Sequence, residues 1–235
     1  MKFHFMNNGL AVDVDFPDAD VEKLYIPLLE QLTELQKKKG RRILVMLAAP
    51  PGAGKSTLAA FLKELAEQRQ MTPITVIGMD GFHRYQEDLL SHFTERDGEI
   101  IPLVRIKGAP ETFDLPKFTD RVRRVAEGES LSWPAYDRLL HNPVEDAVRV
   151  EGEIVLLEGN YLLLDAPGWR DLSKYADCTI FLKAEEGLLR DRLVKRQIAS
   201  GKPAEAAVEF VEKSDLANAR LVLAQSKPAD FVIEV

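Results

Sequence analysis

The chain has 235 residues, of which 46% are hydrophobic and 29% are charged, and its formal net charge is −7. This length suits one large α/β domain with a single sizeable core, and the ordinary composition excludes a disordered protein. The acidic balance argues against a nucleic-acid partner, which would need a broad positive surface. Cys178 is the only cysteine, so an internal disulfide is impossible and a cysteine-based metal site is disfavoured.

The apolar runs of the chain are short. The longest, such as Ile43–Ala49, fall far below the roughly 20 residues that span a bilayer. Residues 1–10 also lack the basic start and apolar stretch of a secretory signal. We therefore expect a cytoplasmic protein with no membrane partner.

Residues 1–40 are predicted to form an N-terminal extension made of a hairpin and a helix. Lys2–Phe5 and Ala11–Phe16 alternate apolar and polar residues around an Asn-Asn-Gly turn, which predicts a small β-hairpin. An amphipathic helix running to about Lys39 should follow. Pro27 lies inside this pattern and should kink the helix or mark its true start.

From residue 41 onwards, short apolar runs alternate with helical stretches. The run Ile43–Leu47 is apolar on both faces, which is typical of a central strand in a parallel sheet. Strands that alternate with helices imply right-handed crossovers and helices on both faces of the sheet. Residues 41–235 are therefore predicted to form a three-layer α/β/α domain with a mostly five-stranded parallel sheet. The other predicted strands are Pro73–Ile77, Ile154–Leu157, Cys178–Leu182 and Phe231–Val235, and the predicted helices are Ser56–Arg69, Leu115–Glu127, Glu186–Ala199 and Pro203–Ala224.

The first of these strands leads into Ala49-Pro-Pro-Gly-Ala-Gly-Lys-Ser-Thr57, a Walker A sequence, or P-loop, in which Ala49 replaces the usual first glycine. Its backbone N–H groups and the positive end of the helix that follows can surround a β-phosphate. Lys55 is expected to reach the β- and γ-phosphates and Ser56 to bind Mg²⁺. The motif lies between a buried strand and a helix, which favours ATP and Mg²⁺ binding over a chance glycine-rich turn. The predicted nucleotide ligands are Gly52, Ala53, Gly54, Lys55, Ser56 and Thr57.

Acidic residues follow two other predicted strands. Asp80 comes after the second strand, at the sheet edge where the P-loop also lies. Phosphoryl transfer to an alcohol needs a group that accepts the hydroxyl proton, and Asp80 is the candidate, with an Asp-Gly turn as the alternative. Glu158 ends the third strand, where apolar neighbours make an unpaired carboxylate costly. It is predicted to hold Mg²⁺, with a salt bridge to a nearby loop as the alternative.

The predicted helix Glu186–Ala199 carries three arginines. Arg192 and Arg196 are one turn apart, so they share a face and could close over ATP to neutralise charge on the transferred phosphoryl group. Arg190 is expected on a solvated face. A solvated helix face would be the interpretation for all three arginines if no other feature supported a catalytic role.

From about residue 42 to the C-terminus, these features resemble the kinase superfamily that includes uridine kinase, phosphoribulokinase and type I pantothenate kinase. Further landmarks of the resemblance are Lys107–Asp114 and Trp133–Arg138. The resemblance implies that Asp80 is the base and that the two helix arginines belong to a lid over ATP. With the N-terminal extension included, the chain is most similar to a bacterial branch of nucleoside/nucleotide-kinase-like P-loop proteins.

Departures from individual family members leave the acceptor open. Uridine kinases have Phe-Asp-His-Pro in place of Lys107–Pro110 and an aromatic residue at the position of Arg138. His83 and Arg84 are closer to phosphoribulokinase, whereas Lys107–Asp114 is closer to pantothenate kinase. The two histidines of the candidate set could equally be structural, Tyr136 could be core packing, and Arg138 could be a surface residue. The candidate acceptor-binding residues are His83, Lys107, Tyr136, Arg138 and His141.

The sequence thus favours a kinase that transfers the γ-phosphate of Mg·ATP to a hydroxyl of a sugar, polyol, nucleoside or pantothenate-like acid. Residues 91–107 show few periodic features and are expected to form a mobile flap that shields the phosphoryl group. The alternatives are a regulatory NTPase switch, which the base-like Asp80 disfavours, and a nucleoside-monophosphate kinase. The latter would need several arginines between Thr57 and Asp80, where Arg69 is the only one. No Asn-Lys-x-Asp motif supports a GTPase, and the sequence leaves a homodimer open.

Overall fold

The computed structural model of the chain describes residues 1–7, 10–96, 98–137 and 140–235. Strands and helices alternate over most of its length, as the sequence predicts. The strands in these ranges are β1 (Lys2–Asn7), β2 (Leu10–Asp15), β3 (Ile43–Ala48), β4 (Ile74–Gly78), β5 (Phe93–Arg96), β6 (Glu99–Pro102), β7 (Leu131–Asp137), β8 (Asn142–Val150), β9 (Ile154–Gly159), β10 (Cys178–Lys183) and β11 (Phe231–Glu234). The α-helices longer than one turn are α1 (Ile26–Lys39), α2 (Lys55–Gln68), α3 (Gln86–Ser91), α4 (Leu115–Ala126), α5 (Glu186–Ala199), α6 (Ala204–Phe210) and α7 (Leu216–Gln225).

A five-stranded parallel sheet in the order β11-β10-β3-β9-β4 forms the centre of the fold. Alternate residues of β3, β4, β9 and β10 enter two separate hydrophobic clusters, because successive side chains of a strand point to opposite faces. Val45 packs with α1, α2 and α5 on one face, and Met46 packs with α4 on the other. This arrangement confirms the predicted three-layer α/β/α class and the five parallel strands.

The N-terminal extension packs against the same core as the rest of the chain. β1 and β2 pair antiparallel, and the two turn residues between them lie outside the described residues. Phe16 stacks on Phe61 of α2 with ring centroids 3.8 Å apart. The predicted first helix begins with a short turn at Asp18–Asp20 and a π-helical turn at Val21–Tyr25, and Pro27 marks the start of its regular α-helical part. A proline fits there because the N–H it lacks has no partner in the first turn of an α-helix.

Two antiparallel hairpins and a helix break add to the predicted elements. β5 and β6 pair within the segment expected to be an irregular flap, and a 3₁₀ turn follows at Leu103–Ile106. The large apolar side chains of this hairpin, Phe93 and Ile100, are exposed, so the segment has no buried face and no in–out alternation to detect. Its mobility stays a prediction. The predicted helix over residues 203–224 is divided by a π-helical turn at Val211–Asp215.

The second hairpin, β7–β8, packs against the end of β4. The indole nitrogen of Trp133 donates to the carbonyl of Gly78 at 2.9 Å. A Cβ placed on Gly81 would lie 2.1 Å from the carbonyl oxygen of Pro134, so only glycine allows this approach. The contact brings the β7–β8 hairpin to the carboxyl edge of the sheet. In the described ranges, no helix is long and apolar enough to cross a lipid bilayer.

Candidate active site

The P-loop connects β3 to α2 in a conformation that depends on two glycines. Gly52 and Gly54 have φ values of +85° and +97°, which side chains rarely adopt. A Cβ on Gly52 would also lie 3.0 Å from the Leu193 side chain of α5. Because α2 begins at Lys55, the first N–H groups of this helix have no partner within it. The loop therefore presents backbone donors and the positive helix end at one place, where a phosphate could bind.

Glu158 lies beside the P-loop because β9 pairs with β3, with Glu158 opposite Leu47. The Ser56 hydroxyl donates to one carboxylate oxygen of Glu158 at 3.0 Å. The ammonium of Lys55 is 3.9 Å from the other oxygen. The pairing of β3 with β9 therefore brings a carboxylate within ion-pair distance of the Lys55 amine.

The same two side chains fit a magnesium ion. Mg²⁺ takes oxygen ligands and usually binds through one or two protein groups together with phosphates and waters. The hydroxyl of Ser56 and the carboxylate of Glu158 supply such oxygens within 3.0 Å of each other, next to the phosphate cradle. The described residues contain no group of three or more His, Cys, Asp or Glu side chains that could hold a metal by themselves. A metal here would therefore be shared with a phosphorylated ligand.

Asp80 lies on a 3₁₀ turn, Met79–Phe82, that follows β4 directly. Gly78, the last residue of β4, pairs with Glu158 at the end of β9. The two carboxylate residues thus follow neighbouring strands at one edge of the sheet. The backbone carbonyl of Asp80 interacts with Nδ1 of His83 at 2.9 Å, which holds the turn.

A cavity of about 700 Å³ unites most of the predicted site residues. The P-loop forms one part of its wall, and the turn after β4 and the β7–β8 hairpin form another. Glu158 is not part of the lining and lies behind Ser56 with a side chain that is 12% exposed. Arg138 lies outside the described residues, so its predicted role stays a prediction. The predicted site residues in the lining are Gly52, Ala53, Gly54, Lys55, Ser56, Thr57, Asp80, His83, Lys107, Tyr136, His141, Arg192 and Arg196.

The arginines of α5 lie in two different environments. Arg192 donates to the carbonyl of Ala53 in the P-loop at 3.1 Å. Arg196 also lines the cavity, and its guanidinium is 3.6 Å from Asp215. Arg190 forms a 2.6 Å ion pair with Glu212 and is not in the lining. The first two arginines are therefore placed to meet a phosphorylated ligand, whereas Arg190 belongs to the solvated face.

Lys107 lines the same cavity and is held by neutral groups. Its ammonium donates to the side-chain carbonyl of Gln86 at 2.7 Å and to the backbone carbonyl of His141 at 2.9 Å. It also lies 5.1 Å from the ring centroid of Tyr136. Burial lowers the pKa of Lys107. Among the described residues, no carboxylate lies within ion-pair distance of this ammonium.

The two candidate histidines have different environments. His83 packs between the rings of Phe113 and Tyr136, at centroid distances of 4.1 and 5.0 Å, and it also lines the cavity. Its ring therefore supports the pocket wall as well as facing the pocket. His141 is exposed, has a φ of +52° and contributes its carbonyl to Lys107.

Two asparagines that are not among the candidate site residues also line the cavity. Asn160 follows β9, is 9% exposed, and its side-chain oxygen has no hydrogen-bond partner among the described residues. Asn218 on α7 is 8% exposed and lies near Gly108. The position of Asn160 just after a predicted strand was a usable signal. Asn218 lies in the cavity wall because of how α7 packs.

Replacing Arg192 by alanine is expected to lower the turnover of phosphoryl transfer by about tenfold. This tenfold loss is smaller than the loss expected on removing a fully preorganised hydrogen-bond donor, because Arg192 is exposed and solvent screens its charge. The matched control is Arg190→Ala on the same helix, which should retain wild-type turnover. Steady-state kinetics of both variants provide the measurement, and equal turnover in the two variants would contradict a phosphate-directed role for Arg192.

Comparison with known proteins places this geometry in a family. The model of the Phosphoribulokinase / Uridine kinase family matches residues 44–235. The chain is 41% identical over 237 residues to an Escherichia coli K12 protein named YggC and called uncharacterized, covering 100% of this chain and 96% of that protein. It is 34% identical to a Schizosaccharomyces pombe protein provisionally named a uridine kinase, covering 96% of this chain and 95% of that protein.

A solved structure of a related protein shows a similar fold. A protein from Silicibacter sp. TM1040, provisionally named a fructose transport system kinase, matches with a TM-score of 0.75 and 36% identity, over 87% of this chain and 98% of that chain. These matches confirm the resemblance inferred from the P-loop and its surrounding motifs. Because the family model covers nearly the whole chain after the N-terminal extension, the protein belongs to the phosphoribulokinase/uridine kinase family of phosphotransferases, which are small-molecule kinases acting on hydroxyl groups.

Proposed function

We propose that this protein transfers the γ-phosphate of Mg·ATP to a hydroxyl group of a small anionic metabolite. One observation carries the proposal: a single cavity contains the P-loop, the carboxylate of Asp80 and the ammonium of Lys107. The first element suits a nucleoside triphosphate, the second suits an attacking alcohol, and the third suits a negative group on the acceptor.

The nucleotide is assigned to the P-loop. The backbone of residues 52–56 would surround the β-phosphate, while Lys55 and Arg192 would neutralise charge on the β- and γ-phosphates. Ser56 and Glu158 would hold Mg²⁺, which when bound would supply positive charge to the phosphate groups. The Lys55–Glu158 and Ser56–Glu158 contacts keep these side chains together before a ligand arrives.

The transfer step needs few protein groups. The acceptor oxygen forms a bond to the γ-phosphorus. The bond from that phosphorus to the β,γ-bridging oxygen breaks, and ADP leaves. The hydroxyl proton passes to the carboxylate of Asp80, which orients the alcohol beforehand. Lys55 and the α5 arginines stabilise the charge that moves onto the leaving oxygen.

The acceptor class follows from the surroundings of Lys107. Lys117, on α4 outside the cavity, forms a 2.5 Å ion pair with Glu145, which is the usual arrangement for a lysine. Lys107 has only uncharged partners among the described residues, although it is partly buried and its pKa is lowered by that burial. Desolvating a cation without a counter-charge is costly, so a ligand carboxylate or phosphate would supply the missing charge. We therefore favour a hydroxy acid or a phosphorylated sugar over a neutral sugar or nucleoside.

A panel of acceptors tests this assignment. ADP formation from Mg·ATP would be measured with fructose, uridine, glycerol, a sugar acid, pantothenate and a sugar phosphate. Only the anionic acceptors should stimulate ADP formation strongly, and the acid and phosphate arms separate the two sources of charge. Equal ADP formation with and without every acceptor would instead favour the NTPase switch. Preference for fructose or uridine would show that the anionic class is wrong while the kinase assignment stands.

Replacing Lys107 by methionine is expected to raise the KM for the acceptor by about 10- to 100-fold, the range for losing a hydrogen bond to a charged group. The KM for ATP should change little, because the nucleotide phosphates are assigned to the P-loop and not to Lys107. Lys117→Met is the matched control and should leave both constants unchanged. An effect of Lys107→Met confined to ATP would place Lys107 on the transferred phosphate instead.

A further inference from the structure

The N-terminal extension reaches the same cavity as the P-loop. Val14 and Phe16 at the end of the hairpin, and Tyr25 at the start of the first helix, are part of the cavity wall. The family model begins only at residue 44, so these side chains lie outside the segment that defines the family. We infer that the extension forms the wall of the site for the base and ribose of the nucleotide, an inference that rests on the proposed ATP-dependent function.

The order of strands sets the direction of the nucleotide. β3 carries the P-loop and has β9 and β4 on one side and β10 and β11 on the other. Asp80 follows β4, so a γ-phosphate directed at an alcohol beside Asp80 points toward that edge. The base at the other end of the triphosphate must then extend toward β10 and β11. The cavity lining on this side includes Leu182 of β10 and Val235 just after β11.

The extension is held firmly to the helix that carries the phosphate ligands. Phe61 of α2 stacks on Phe16 at 3.8 Å and meets the ring of Tyr25 edge-on at 5.6 Å. Phe16 and Tyr25 also meet edge-on at 5.7 Å. Because α2 begins with Lys55, this aromatic cluster fixes the distance between the cradle and the proposed wall.

The chemistry of the wall suits a nucleoside. A purine has flat apolar faces and a polar edge, and Val14, Leu58 and Val235 provide apolar surface beside the P-loop. Tyr25 adds a hydroxyl that makes no hydrogen bond to any described residue. The residue as a whole is only 6% exposed, but its hydroxyl is not among the buried polar atoms that lack a partner, so it is open to the cavity. A polar atom of the base or ribose is the group expected to bind this hydroxyl.

Binding measurements on the full chain test the inference. The dissociation constants for Mg·ATP and for inorganic tripolyphosphate with Mg²⁺ would be measured by calorimetry for the wild type, Val14→Trp and Tyr25→Phe. Tripolyphosphate has the phosphates of ATP without its base and ribose, so it isolates the cradle. Phe3→Leu is the matched control, because Phe3 pairs with Val14 in the hairpin and packs on Phe61 but does not line the cavity.

We expect Val14→Trp to weaken ATP binding by about tenfold or more, since the larger side chain would occupy the space of the nucleoside. Tyr25→Phe should weaken it by about 2- to 10-fold, the usual range for one hydrogen bond. Tripolyphosphate binding should stay within about twofold in both variants, and Phe3→Leu should bind both ligands as the wild type does. Tyr25→Phe keeps the aromatic ring, so its ATP and tripolyphosphate affinities test the inference even if Val14→Trp does not fold.

These measurements distinguish a wrong nucleoside wall from a wrong function. If the wild type binds ATP and both variants match it, the extension does not form the nucleoside wall and the proposed function is untouched. A parallel loss of ATP and tripolyphosphate binding would mean that the substitutions disturb the cradle through packing, which also overturns the inference. If the wild type binds neither ligand, the proposed function itself is wrong.

Discussion

Replacing Lys55 by alanine is expected to lower phosphoryl transfer by at least ~10³-fold. Losing one well-placed donor to developing charge costs ~10²–10³-fold, and Lys55 carries a full charge in a largely buried position. Its side chain is 12% exposed at the start of α2, between the P-loop backbone and Glu158. The measurement is steady-state ADP formation with saturating Mg·ATP and acceptor.

The fold should survive this substitution, because the long side chain supports charge rather than the apolar core. Thermal unfolding of Lys55→Ala should therefore stay close to that of the wild type. Lys63→Ala is the matched control, since Lys63 lies on the same helix and its ammonium is 4.0 Å from Glu67 on the exposed surface. It should keep full activity. Wild-type turnover in Lys55→Ala would refute the assignment of the P-loop as the phosphate cradle.

Replacing Asp80 by asparagine is expected to lower turnover by ~10²–10⁴-fold, the range for a positioned general base. The amide keeps the shape of the side chain but cannot take a proton from the acceptor. The dissociation constant for Mg·ATP should change only a few-fold, because the phosphates are proposed to bind the P-loop and α5 rather than Asp80. Turnover and ATP binding would be measured on the same preparation.

Two further variants make this result specific. Asp88 lies in the first turn of α3 on the exposed surface, so Asp88→Asn should have the turnover and the ATP affinity of the wild type. Glu158→Gln should lose activity in a different way, with partial recovery at raised Mg²⁺, because Glu158 is assigned to the metal. If Asp80→Asn lost ATP binding and turnover to the same extent, Asp80 would be a metal or structural residue instead of a base.

Local sequence patterns predicted the sheet and the phosphate cradle. The run that forms β3 is apolar on both faces and is followed at once by glycines and Lys55. This pattern indicates a strand, a loop and a helix within about 20 residues. Asp80 and Glu158 were found by the same reasoning, since residues that follow parallel strands meet at one sheet edge. Each of these predictions needed only the period of a strand and the residue that comes after it.

The acceptor side depended more on tertiary packing. Lys107 was singled out by resemblance, but nothing near it in the sequence shows that its partners are Gln86 and the carbonyl of His141. The hairpin β5–β6 escaped prediction because neither of its faces is fully buried. The P-loop context likewise could not show that Lys55 would lie beside Glu158, whose position depends on the β3–β9 register.

The sequence by itself determined the family, the sheet and the residues expected to act on phosphate, because those features are encoded in short stretches with a fixed period. Only the tertiary structure decided that Val14 and Tyr25 share a cavity with Val235, at the opposite end of the chain. Their apolar and aromatic side chains look like ordinary core residues in the sequence. Contacts between distant segments follow from how the elements pack, and no local periodicity records them.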